Sequence, residues 1–128
     1  MSPDLLVPDR PALDTVARGW AEVCPLDRII PDTGVAVRID GHPVAVFRLR
    51  DRDGVDRVLA VDHVDPFTDV AVLARGIVGD VEGEPIVASP LHKQRFSLLD
   101  GRCLDDPDVA LTTYVTRIVD GVVLVARP

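Results

Sequence analysis

The chain predicts an all-β protein, and three observations carry that reading. Four Asp-Gly pairs, at 40–41, 53–54, 100–101 and 120–121, punctuate short apolar runs. Both residues of such a pair accept positive φ cheaply, as a tight hairpin turn requires. The runs are rich in valine, whose branched side chain suits a pleated surface. They recur at close spacing, about nine or ten in all, which is the rhythm of an antiparallel β-sandwich or small barrel.

Residues 1–15 read as an N-terminal arm, because Pro3, Pro8 and Pro11 interrupt any regular element. Residues 16–128 form one β domain. Trp20 anchors the first strand. "VAVRIDGHPVAVFRL" (35–49) is a hairpin: Val35, Val37 and Ile39 share one face, the chain turns at Asp40-Gly41, and a strand returns from about Val44 to Leu49. "VDRVLAVD" (55–62) is a further strand. "IVG" (77–79) and "PIVAS" (85–89) flank the turn "DVEGE", whose acids mark a hairpin tip. "FSLLDGRCL" (96–104) and "TYVTRIVDGVVLVA" (113–126) are the last two hairpins. The segment 65–76 departs from the pattern. It predicts a short helical turn capped by Thr68 or Asp69 and ended by Gly76. Gly76 and Gly79 read as backbone-shape residues, since "GIVGD" lacks the glycine order of a nucleotide loop.

Composition narrows the function. Apolar residues make up 47% and aromatics 4%, so the core is Val, Leu and Ile. The net charge of −7 repels phosphate backbones and argues against nucleic acid. No apolar run approaches the ~18 residues of a membrane span. The start, "MSPDLLVPDRPALD", has acids and prolines where a signal peptide is basic and then apolar, so the expected location is cytoplasmic. Cys24 and Cys103 are far apart and read as free, buried thiols.

The chain offers His42, His63, His92, Cys24 and Cys103 as potential metal ligands, but no two have zinc or cluster spacing. His42 lies in a hairpin turn and reads as solvated. A mononuclear site from His63 and His92, with Asp65 adding a carboxylate, stays open as an alternative. A hydrolase built on Ser89 and His92 lacks the Gly-x-Ser-x-Gly elbow, and Pro90 removes an amide that would serve an oxyanion hole. Asp105 and Asp106, before Pro107, read as a solvated turn.

The stretch "VASPLHKQRF" (87–96) is the most informative. Cys-Pro-x-His-x-x-x-Phe is the frame of a Rieske cluster loop, and here Pro90, His92 and Phe96 are in place while Ser89 stands where the cysteine would be. Such a cluster needs two thiolates and two imidazoles, from one C-x-H and one C-x-x-H loop. "DPF" (Asp65, Pro66, Phe67) occupies the first loop and "SPLH" the second, so His92 is the single ligand retained. Lys93 and Arg95, with Arg75 near, place positive charge on an acidic domain. They read either as a docking patch or as ordinary solvated loop charges.

The run 65–107 resembles the small subunit of the assimilatory NAD(P)H-dependent nitrite reductase. It carries that family's DPF loop, its "VLARGIVGD" (72–80), its "SPLHKQRF" (89–96) and its "GRCLDDP" end (101–107). Upstream, Trp20, Cys24, Gly34 and Phe47 also fall at the family's positions. Leu99 and Asp100 depart from its usual Arg-Thr before Gly101. The resemblance implies a Rieske-like β fold with degenerate cluster positions at Asp65, Phe67, Ser89 and His92, and no metal or cofactor on this chain. It implies a large partner subunit carrying siroheme, a [4Fe–4S] centre and FAD, which takes electrons from NAD(P)H and reduces nitrite to ammonium. The small subunit would then be an accessory, non-catalytic chain that docks through Arg75, His92, Lys93, Gln94 and Arg95. A stand-alone Rieske-type electron carrier and a protein-binding module with a degenerate metal site are the rival readings.

Overall fold

The turn residues divide the chain as their φ preferences dictate. The computed structural model describes residues 19–128. The arm expected at 1–15 and its boundary at 16 lie outside the described residues. The strands are β1 (Trp20–Pro25), β2 (Thr33–Ile39), β3 (His42–Arg50), β4 (Asp56–Asp62), β5 (Val64–Asp65), β6 (Val70–Ala71), β7 (Ile77–Val81), β8 (Glu84–Ala88), β9 (Arg95–Ser97), β10 (Thr113–Tyr114), β11 (Thr116–Val119) and β12 (Val122–Ala126). Two single 3-10 turns, Leu26–Arg28 and Leu73–Arg75, are the helical elements among the described residues.

Asp40-Gly41 and Asp120-Gly121 have positive φ at both residues and close two-residue hairpins. Glu82-Gly83 does the same between β7 and β8. The other two Asp-Gly pairs behave differently, with positive φ only at the glycine. Asp51 organises a wider loop before β4 by accepting the amides of Asp53 and Val55, both at 2.9 Å. The segment 96–104 folds back through a single bridge, Phe96 to Cys103, rather than a full ladder.

The central sheet has the order β10-β4-β3-β2. Its middle strand β3 is buried on both faces, so alternate residues serve different cores. Ala45, Phe47 and Leu49 face a cluster with Leu73, Val87, Phe96, Leu98 and Leu111. Val44 and Val46 face a second cluster with Ile29, Ile39, Val58, Val123 and Val125. The sheet β7-β8-β9 contributes Val87 and Phe96 to the first cluster, and β1-β12-β11 contributes Val123 and Val125 to the second. The architecture is thus an all-β stack of small antiparallel sheets sharing the β3–β4 ribbon.

Arg48 is the one charge in the "VAVFRL" run, and it is buried on the side of Val44 and Val46. Its guanidinium donates to both carboxylate oxygens of Asp56 (3.0 and 2.9 Å) and to the carbonyls of Leu26 and Ile29 (3.2 and 2.8 Å). These bonds satisfy a buried cation and tie the first 3-10 turn to the sheet.

The 65–76 connection contains the expected helical turn, but it starts at Leu73, not at Thr68 or Asp69. Its N-cap is Val72, with no side-chain cap. Residues 64–71 instead pair as the ribbon β5–β6. Asp69 serves the tight turn of that ribbon with φ 62°. Gly76 ends the helical turn in extended backbone, φ −72°.

Candidate functional site

β4 and β8 deliver two loops to the same end of the molecule. The first (63–69) leaves β4, and the second (89–94) leaves β8. Asp65 and Ser89, the two cysteine positions of the cluster frame, are each 0% exposed. They face each other: the Ser89 hydroxyl donates to Asp65 Oδ2 at 2.5 Å. Each side chain also shapes its own loop. Asp65 Oδ1 accepts the amide of Phe67 at 2.8 Å, and Ser89 Oγ accepts the amide of Leu91 at 3.3 Å. Backbone bonds complete the turns, with Asp69 N donating to the Asp65 carbonyl (2.7 Å), Lys93 N to the Ser89 carbonyl (3.0 Å) and Ser89 N to the Gln94 carbonyl (2.9 Å). Lys93 has φ 68° at the bend of the second loop.

Phe67 stands at the first histidine position. Its ring packs at a tilt on Phe96, centroids 6.1 Å apart, while its outer edge leaves it 37% exposed. Phe96 is fully buried and roots the second loop in the core. His92 is exposed. Each loop also holds a buried polar atom without a hydrogen-bond partner, Thr68 Oγ1 and Gln94 Oε1.

His63 forms no metal-ligand group with His92 and Asp65. It is buried, and its Nδ1 accepts the amide of Ala74 at 3.0 Å, so its proton sits on Nε2. Burial, and then the nearby Arg75 charge, push its pKa below the usual imidazole range. Its carbonyl accepts the amides of Val72 and Leu73, both at 3.0 Å. The residue therefore holds the start of the 3-10 turn, a job that the sequence reading missed.

A Rieske-type [2Fe–2S] cluster needs two thiolates and two imidazoles. Carboxylate, hydroxyl and phenyl groups take three of those places, and the two sulfur positions are bonded to each other. The residues do not fit such a cluster. Among the described residues no three His, Cys, Asp or Glu side chains gather around one point for a metal ion.

The basic patch is smaller than the sequence suggests. Arg95 is engaged: its guanidinium spans both oxygens of Asp105 (2.8 and 3.2 Å), and its amide donates to Asp105 at 2.8 Å. Asp105 is an exposed turn residue, as expected, and is in addition an ion-pair partner: Arg95 holds its carboxyl below the usual range. Gln94 is half-buried, while Arg75, His92 and Lys93 are exposed. At the far end of the β3–β4 and β7–β8 hairpins, a cleft of about 750 Å³ is lined by Arg50, Arg52, Arg57, Asp32 and Asp80, among others. It is remote from both loops.

Residues 19–126 match the family model of the Rieske-like [2Fe-2S] domain. The chain is 42% identical over 104 residues to the nitrite reductase (NADH) small subunit of Escherichia coli K12, covering 81% of this chain and 94% of that protein. A solved structure from Mycobacterium tuberculosis, described as an NADH-dependent nitrite reductase small subunit, superposes with TM-score 0.78 at 49% identity, covering 85% of this chain and 95% of that one. The nitrite reductase [NAD(P)H] large subunit of Klebsiella oxytoca is 39% identical over 117 residues, which is 91% of this chain and 12% of that protein. This chain belongs to the Rieske-like domain family and, within it, to the nitrite reductase small subunits.

Proposed function

We propose that the chain is the accessory subunit of a cytoplasmic, siroheme-containing NAD(P)H-dependent nitrite reductase, which reduces nitrite to ammonium in nitrate assimilation. The Asp65–Ser89 bond carries the proposal. The two cluster loops are kept and are cross-linked by a hydrogen bond instead of by iron. The frame then serves as a rigid contact surface, not as an electron relay. Siroheme, the [4Fe–4S] centre, FAD and the NAD(P)H site are assigned to the large subunit, and this chain supplies no catalytic residue. The Klebsiella oxytoca relative supports the pairing, because a like domain there is part of a large-subunit chain.

The test is co-expression of the tagged chain with the large nitrite reductase subunit of its own organism. The proposal expects co-purification, a complex with nitrite-dependent NAD(P)H oxidation, and an isolated small chain without iron or acid-labile sulfide. A brown isolated chain containing both would restore the electron-carrier reading. A colourless chain that never captures the large subunit would leave a binding module with another partner.

A further inference from the structure

Nine large apolar side chains are exposed among the described residues, and four of them lie beside the Asp65–Ser89 bond. Phe67 (37% exposed) and Leu91 (42%) are each two residues beyond the bonded pair. Val70 (45%) pairs directly with Asp65, and Ile77 (64%) pairs with Ala88, next to Ser89. The bonded pair sets the first two through backbone. Asp65 takes the Phe67 amide and Ser89 takes the Leu91 amide, while each is bonded to the other. One buried polar pair thus fixes the spacing of two projecting apolar groups from separate loops. A position that would bind iron through histidine holds instead a phenyl ring that packs at a tilt on Phe96 and stays 37% exposed.

We infer that Phe67 and Leu91, held by the Asp65–Ser89 pair, form an apolar knob through which this chain seats in the large subunit. The inference rests on the accessory-subunit reading and replaces a mainly basic contact with a mainly apolar one. The charges near the knob define the recess it fits. Arg75 and Lys93 are exposed and make no ion pair among the described residues, while Asp69 is an exposed acid of the first loop. This locally positive rim belongs to a chain of net charge −7. The complementary recess is therefore apolar with an acidic rim. Asp65 and Ser89 touch no partner and act as positioning residues.

The test measures the affinity of the purified small chain for the large subunit by titration. Phe67→Asp and Leu91→Asp are compared with Val55→Asp, which alters an exposed apolar residue in the distant 51–55 loop. Expected is a loss of about tenfold or more for each knob variant and none for Val55→Asp. Leu91→Asp guards against misfolding, since Phe67 also packs on Phe96. Ser89→Ala should weaken binding with Phe67 and Leu91 both still present. Failure of the wild-type chain to bind would overturn the accessory-subunit reading itself. Wild-type binding with Leu91→Asp and Phe67→Asp equally tight would overturn the knob alone. So would a wild-type homodimer that Leu91→Asp dissolves, since the occupant would then be a second copy.

Discussion

Ser89 and Asp65 show how two buried polar side chains are reconciled with burial. A carboxylate without partners in the core would cost several kcal/mol. The serine hydroxyl and the Phe67 amide both donate to it. Ser89→Ala removes the cross-loop donor and should cost about 2 kcal/mol of unfolding free energy in urea titration. Tyr114 makes a similar point from the other side of the sheet. Its hydroxyl donates to Asp62 at 2.8 Å. Burial, and then the Asp62 carboxylate, push its pKa up to about 12 from the ordinary 10.0. It is the only tyrosine, so absorbance near 295 nm reads it alone. The folded chain should titrate near 12, and the urea-unfolded chain near 10.0. By linkage this contribution is complete below pH 10.0 and is lost as pH rises toward 12.

At the scale of elements, two glycines in one motif do different work. A Cβ on Gly76 would lie 2.5 Å from the Ala88 carbonyl oxygen and 2.6 Å from Val87 Cγ2. The start of β7 can pair with the end of β8 only if that side chain is absent. Gly79, three residues on, has its nearest neighbour at 3.8 Å and ordinary backbone angles. The expectation that both shape the backbone therefore holds for Gly76 and fails for Gly79. Gly76→Ala should destabilise by about 2 kcal/mol through forced displacement of packed backbone. Gly79→Ala should be near neutral or slightly stabilising, since it restricts the unfolded chain. Thermal melts of the two variants side by side decide it. The central ribbon is the other element-scale lesson. β3 is buried on both faces, so its sequence reads as a near-continuous apolar run, and Arg48 tolerates that position only because Asp56 and two carbonyls meet it.

For the whole molecule, an acidic chain is stitched by its arginines. The Arg48 and Arg50 guanidiniums hold Asp56 down to about 2 from the ordinary 3.8. Arg102 lowers Glu84 and Asp100, and Arg95 lowers Asp105. Each of these pairs contributes stability above the ordinary carboxylate range and loses it as pH falls through the depressed value. The melting temperature should therefore hold near neutrality and fall steadily below about pH 4. Asp56→Asn should lower it at pH 6, and the gap to the wild type should close as pH approaches 2, the Asp56 value. A constant gap across that range would show that the Arg48–Asp56 pair is not what titrates.

Much of this was legible in the chain because it depends on neighbours in sequence. Turn positions follow from Asp-Gly pairs, where φ is a local property, and strand faces follow from alternation. The identity of the loops came from the spacing of Asp65-Pro66-Phe67 and of Ser89, Pro90, His92 and Phe96. The simultaneous change of both cysteine positions, one to an acceptor and one to a donor, was the signal that could have foretold their bond. What the sequence could not supply were relations between residues far apart along it. The Ser89 donation to Asp65, the Arg95–Asp105 pair that removes a charge from the basic patch, and the His63 ring that receives the Ala74 amide all join separate segments. The tight contact at Gly76 also depends on which strand lies alongside. Hydrogen bonds and van der Waals contacts act over a few ångströms in space, so only the folded chain decides which polar groups are spent on the fold and which apolar ones are left exposed.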